Sequence, residues 1–450
     1  MYVRNKFHLV RGSIDPSGNP IQRVPKRPSL SRRPCLLTGA VFAAALACGG
    51  ATWATPVLTT LVALNGTNGE GSPAGLIADP AGNLFGTTVR GGVNNLGTAF
   101  EVAAGTHALS TLVNFGYTAG YDVKAGLIAD ASGNLYGTAQ EGGSDFNDIG
   151  TVFEIPAGTH TLSTLATFNK GNGAFPAGGV IADAAGNFYG TTLQGGANGV
   201  GTVFKVAAGT HALLTLATFN TSNGGYPVGG LIADAAGNLY GTTNAGGANN
   251  DGTVFEISAG THALATLATF NGNNGAQPHA TLLADAAGNL YGTTFAGGAS
   301  GYGTVFEIAA GTRALSTLAT FNSSNGANPE AGLIADADGN LYGTTQNGGA
   351  KNFGTVFEVA AGTFEVSTLA TFDFYNGAYP VGYLLADAAG NLYGTTLADG
   401  PNGAGTVFEL TNTGFVTSAP EPTAQWLIGS AGVATLSMTR FRGRRSGLPR

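Results

Sequence analysis

Short apolar runs alternate with Gly-, Asn- and Asp-rich turns along most of this chain, and the alternation itself repeats. The clearest copy spans Leu231 to Asn271 and reads LIADAAGNLYGTTNAGGANNDGTVFEISAGTHALATLATFN. Its runs predict four strands, at 231–234, 239–243, 253–257 and 263–271. Ala235-Ala236-Gly237-Asn238 carries the turn chemistry of a tight hairpin, with a glycine free to take positive φ. The third and fourth runs are rich in β-branched and aromatic residues, which suit a pleated, packed surface. Between the two ends of the chain no segment has helical periodicity.

The Asp that opens the turn recurs as Asp79, Asp130, Asp183, Asp234, Asp285, Asp336 and Asp387, at spacings of 51 or 53 residues. So constant a period marks one supersecondary unit in tandem, and four short antiparallel strands per unit match the blade of a kelch-like propeller. Seven sets of the first three strands are present. Fourth-type strands are offset: the first, at 57–65, precedes every set, and only the weak run 413–417 follows the last. The chain therefore predicts an all-β, seven-bladed β-propeller of four-stranded antiparallel blades over residues 55–415, closed by its N-terminal strand. Closure leaves no long free edge.

The two ends differ from the array. Residues 1–54 hold a basic n-region with Arg32 and Arg33, then the apolar PCLLTGAVFAAALACGGATWA, the order of a secretory signal cleaved after Ala54. Both cysteines, Cys35 and Cys48, fall inside it, so the exported product would carry no disulfide. Residues 416–422 form a linker with Pro420, Glu421 and Pro422, and 423–450 an apolar helix followed by Arg440, Arg442, Arg444 and Arg445. Arginines behind a short apolar segment hold it at the inner membrane by the positive-inside rule. Eight of the 19 Lys/Arg precede residue 55 and five lie beyond 422, which leaves six against 25 of the 26 Asp/Glu, a net −19. Such a surface repels phosphate backbones, and nucleic acid is not an expected partner.

Across the copies the order NGxxPxxG, D-x-x-G-N-L-Y-G-T-T, GG and GTVFE, met with few departures, resembles the GloVer repeat, over residues 65–410. That resemblance implies a secreted propeller with a surface-anchoring tail and implies no catalytic residue. The tail itself resembles a PEP-CTERM sorting signal. This implies handling by an exosortase-type sorting machinery, transient inner-membrane anchoring, and delivery to the envelope or extracellular matrix of a Gram-negative bacterium.

Candidate chemistry is sparse. The repeated Asp could ligate Ca²⁺, but one carboxylate per turn falls short of the six or more oxygens required, and accepting backbone N–H bonds is the expected role. The third-strand Glu becomes Lys205 in one copy, which suggests a solvated face. His107, His160, His211 and His262 share one turn position in different blades and are expected as exposed turn residues. No metal, cofactor or nucleophile motif stands out. Positions where the copies disagree are more informative. Before the first strand they read Pro73, Lys124, Ala177, Val228, His279, Glu330 and Val381; after the second, Arg90, Gln140, Glu141, Gln194, Asn244, Phe295, Gln346 and Asn347 vary alike, and the second copy has a two-residue insertion around Asp145 and Asp148. Both sets are expected at the mouth of the central channel. The candidate ligand-binding residues are Lys124, His279, Glu330, Tyr226, Tyr375, Tyr379 and Asp373, where aromatic and amide groups suit sugar rings. The expected function is non-catalytic binding or scaffolding of a surface polysaccharide or envelope protein. The alternatives are a polysaccharide lyase or hydrolase using His279, Glu330 and Lys124, and a purely structural matrix component.

Overall fold

The structure, a computed structural model, describes residues 54–143 and 149–417. Residues 1–53 of the signal segment 1–54, the Pro-Glu-Pro motif, the arginine tail, Asp145 and Asp148 lie outside these residues. Twenty-eight strands form seven four-stranded antiparallel sheets, and among the described residues there are no helices. The sheets are the blades of a seven-bladed propeller. Within the fourth blade the strands are Ile232–Ala233, Leu239–Thr243, Thr253–Ile257 and Leu264–Thr269, in order from the axis outward. The innermost strand is shorter than its apolar run predicts, since only two residues pair before the hairpin turns.

Strand direction sorts the loops onto two faces. Loops that enter each inner strand, and those after each second strand, share one face, here called the mouth. The D-x-x-G-N hairpins and the A-G-T-H turns share the other, the hairpin face. The seventh blade orders Val57–Ala63 beside Thr406–Thr411, then Leu392–Thr395 and Leu385–Ala386, so the N-terminal strand closes the ring as expected. Val57 pairs with Thr411, which puts the start of the closing strand on the hairpin face.

The apolar core lies between blades. Phe219, which follows the outer strand of blade 3, meets Phe255 of the third strand of blade 4 edge-on at 5.0 Å, and five further seams repeat the pair. At the closing seam Leu64 takes the first position and is fully buried, and Val62 of the same strand joins the cluster that holds Phe100. The glycine of LYGTT follows from this packing: a Cβ on Gly241 would lie 2.7 Å from the ring of Phe255 directly across the ladder. Its neighbour Thr242 donates from Oγ1 to the carbonyl of Ala280 in the next blade at 3.0 Å. The same bond recurs at every seam and ends with Thr395 donating to Ala74 at 2.8 Å, from the last blade to the first.

On the hairpin face the repeated Asp builds its turn. Asp234 Oδ1 accepts the N–H groups of Ala236 and Asn238, and Oδ2 accepts from the Asn238 amide and the Tyr240 hydroxyl. Asn238 Oδ1 then takes the N–H of Ala259, which ties the hairpin to the turn after the third strand. This is the expected structural role. The four histidines are exposed at positive φ near 50–55° and close their turns. The third-strand Glu is a correction to the expected solvated face. It is half-buried because it pairs across the ladder with the LYGTT tyrosine, and Tyr136 and Tyr393 donate to Glu154 and Glu409. Lys205 keeps the position by lying 5.5 Å over the Tyr189 ring.

After the last strand, residues 412–417 run across the hairpin face as a strap. Thr413 and Thr417 donate to the carbonyls of Gly390 and Ala388, the Val416 carbonyl accepts from Ala337, and Phe415 packs on Tyr342. The strap joins the hairpins of blades 6 and 7, and under it Asp336 and Tyr342 are almost fully buried.

Two predictions follow from these bonds. Replacing Thr395 by Val keeps the shape but leaves the buried Ala74 carbonyl without its donor. Chemical denaturation should show a loss of about 1–3 kcal/mol, and an unchanged midpoint would remove the closing bond from the account. The second concerns pH. Burial pushes the Asp130, Asp183 and Asp234 carboxyls up, but hydrogen bonds from Asn134, Asn187, Asn238 and nearby backbone outweigh it, and all three end below the usual range. Their contribution is present above the ordinary Asp value of about 3.9 and is lost as pH falls below it. Burial, with the bond to Asp, pushes Tyr189 and Tyr240 up to about 12. Their contribution is complete below about pH 10 and is lost as pH rises toward 12. Thermal unfolding across pH should decline in both windows, and Asp234→Asn should flatten the acid limb.

Candidate functional site

The entry loops of all seven blades converge on a cavity of about 880 Å³ at the mouth. Pro73, Lys124, Ala177, Val228, His279, Glu330 and Val381 all line it, with Arg90, Gln140, Asn244 and Gln346 from the loops after the second strands. The positions where the copies disagree therefore meet in one place. Their side chains fall into two polar clusters separated by apolar walls.

One cluster spans blades 4 to 6. His279 stacks on Phe295 at 5.0 Å, and its Nε2 lies 3.0 Å from Asn244 Oδ1. Its Nδ1 is buried without a hydrogen bond, and Glu330 Oε1 lies 3.8 Å away. Phe295, expected as a variable mouth residue, acts as the shelf that fixes this imidazole. The other cluster spans blades 1 and 2, where Lys124 pairs with Asp122 at 3.0 Å beside Glu70, Arg90 and the buried Gln140. Lys124 is thus neutralised within its own entry loop.

The remaining candidates stand elsewhere. Tyr226 and Tyr379 have positive φ, and their N–H groups donate to Val200 and Phe353 of the preceding blade. The Tyr226 ring packs into the apolar seam around Val200, and the Tyr379 ring sits 5.9 Å from Phe353. Both are seam residues, not cavity walls. Asp373 accepts the N–H groups of Tyr375 and Asn376 and so braces its loop, as Asn220 does in another copy. Tyr375 is 78% exposed on the rim.

Two residues that sequence reasoning missed shape the floor. The position next to the axis is Gly75, Gly126, Gly179, Gly230 and Gly332 in five blades but Thr281 and Tyr383 in the others. A Cβ on Gly75 would lie 2.4 Å from the Tyr383 ring, and one on Gly126 2.4 Å from its hydroxyl, so Tyr383 reaches over blades 1 and 2. Thr281 accepts the Gly230 N–H at 3.0 Å. The signal was available, since both positions break the repeat.

A second cavity of about 450 Å³ opens on the hairpin face between blades 2 and 3, lined by Asp130, Tyr136, Glu154, Asp183 and His211. The two Asp are engaged in their turns. Among the described residues no group of three or more His, Cys, Asp or Glu is placed to hold a metal ion.

The Tyr383 contact gives a coupled test. Gly75→Ala should destabilise the chain by about 1–3 kcal/mol through overpacking. In a Tyr383→Gly background the same change should cost almost nothing. Additive costs in the denaturation midpoints would show that the ring does not cover Gly75.

A model of the Gloeobacter/Verrucomicrobia repeat matches residues 39–250, 130–287 and 231–421. No curated protein is significantly similar to the chain. Among solved structures, the extracellular domain of BT4673 from B. thetaiotaomicron, named as a one-component system, aligns with a TM-score of 0.52 at 11% identity. The alignment covers 79% of this chain and 40% of that one, so this chain spans well under half its length. A gluconolactonase, XC5397 from Xanthomonas campestris, aligns over 79% of this chain and 89% of its own with 12% identity and a TM-score of 0.41. At 11% identity the likeness to the BT4673 domain is one of fold alone.

Proposed function

The chain belongs to the Gloeobacter/Verrucomicrobia repeat family, and from that premise we propose that it is a non-catalytic binding or scaffold propeller whose ligand enters the mouth cavity. One observation carries this reading: the seven entry positions that escape the repeat line a single cavity, while the repeated residues are occupied in turns and seams. A concave site with apolar walls and a few convergent polar groups is the usual form of a ligand site. The proposed ligand is a surface glycan or an envelope protein. The proposed setting is the envelope or exopolysaccharide of a Gram-negative bacterium. Export would run through the signal at 1–54, and an exosortase-type machinery would act on Pro420, Glu421, Pro422 and the arginine tail.

A specific contact favours a second reading. His279 and Glu330 share the cavity at 3.8 Å, which offers an acid–base pair to a polysaccharide lyase or hydrolase. Lys124, the third member of that reading, is instead paired with Asp122.

A glycan array probed with the mature chain separates the two. Binding without turnover is expected, weakened tenfold or more by His279→Ala and by Glu330→Ala. Turnover by the parent chain that both substitutions abolish would replace binding with catalysis. Immunoblots of cell fractions from the same cultures should find the chain in the envelope or the surrounding matrix. Purely cytoplasmic recovery would sink the proposed export.

A further inference from the structure

The loops that enter the blades are not equally polar at their tips. Five read NGTNG, NKGNG, NTSNG, NGNNG and NSSNG, beginning at Asn65, Asn169, Asn220, Asn271 and Asn322. The loop into blade 2 reads GYTAG from Gly116, and the loop into blade 7 reads DFYNG from Asp373. Their aromatic residues are exposed, Tyr117 by 65%, Phe374 by 56% and Tyr375 by 78%. Between these loops lies blade 1, where Val93 is 86% exposed at a position that is Ala197, Ala248, Ala299 and Ala350 in other copies. Among the described residues one further large apolar side chain is exposed on the mouth face, Tyr302 of blade 5.

Folding does not account for these aromatics. Asp373 and Asn376 make the bonds that shape their loop, as Asn220 and Asn223 do where Thr221 and Ser222 hold the tip. The loops are docked through backbone: the Tyr117 carbonyl accepts from Gly143 and the Phe374 carbonyl from Gly400. Each aromatic pair is edge-on, Tyr117 with Tyr121 at 5.2 Å and Phe374 with Tyr375 at 5.7 Å, which leaves ring faces available.

We propose that the rim over blades 7, 1 and 2 is a stacking platform for a neutral polysaccharide chain that continues into the mouth cavity. The proposal rests on the binding reading above and names its ligand class. Aromatic faces pair with the apolar faces of sugar rings, and the cavity edge beneath this sector supplies Glu70, Arg90, Asp122 and Lys124 for hydroxyls. Charge decides against an anionic polymer. The ring carries six Lys/Arg against 24 Asp/Glu, a net −18, and the two cations of this sector stand beside two carboxylates. Two aromatic loops separated by the polar loop at Asn65 also present separated stacking points, which suit a linear polymer better than a continuous protein face.

Affinity electrophoresis of the mature chain in gels containing dextran, laminarin, galactomannan or alginate tests this. At least one neutral polymer should retard the chain more than alginate does. Tyr117→Ala and Tyr375→Ala should each weaken that binding about fivefold, on the scale of one aromatic stack. Their combination should weaken it more than tenfold with unchanged thermal midpoints, and Tyr302→Ala should have no effect. Stronger retardation by alginate, or binding retained in the double variant, overturns the platform. If the double variant binds normally while His279→Ala does not, the mouth site stands and the rim falls. If none of the four polymers retards the chain, the neutral-polysaccharide proposal falls, and glycan binding on the array then decides the binding reading separately.

Discussion

At each seam a threonine hydroxyl of one blade donates to a backbone carbonyl of the next, and apolar side chains of the two blades close over the space between them. No blade buries both faces of its middle strands alone, so this contact is the unit of stability. It also has to be satisfied in a circle. The last bond and the last apolar contact reach back to Ala74 and to the cluster around Phe100, which residues near the N-terminal end of the ring supply. The glycine of LYGTT and the phenylalanine of GTVFE are two halves of one fit, since each ring lies where the glycine has no Cβ.

That constraint divides the sequence into two populations. Residues that serve the seam or the hairpin recur in nearly every copy and have their polar atoms occupied. Residues that face the mouth are released from it, because entry loops are held through backbone bonds that tolerate many side chains. Variation therefore accumulates around one cavity, and this gives the cavity its two unlike polar sectors: His279 with Glu330 on one side, and Lys124 with Asp122 on the other.

Much of the fold was legible in the sequence because period and offset are properties of spacing. The seven aspartates gave the blade count, and the unpaired run at 57–65 gave closure. The entry positions were legible too, since strand direction alone sends them to one face. Side-chain direction within that face was not. Tyr226 and Tyr379 carry the same residue type as Tyr375, but residues held at positive φ against a neighbouring blade turn their rings into the seam. Tyr383 was hidden by its place beside LLAD, where an aromatic reads as core. The strap was hidden because 412–417 looks like a weak strand, and its partners are hairpins many residues away.

The closing strand begins on the hairpin face, and the strap ends there, after fastening itself to blades 6 and 7. Both ends of the ring thus leave from its base, as the stem leaves a cup. An attachment made at either of these described ends would meet the ring on the face opposite the mouth. A ligand would then approach from open space without having to pass the point of attachment.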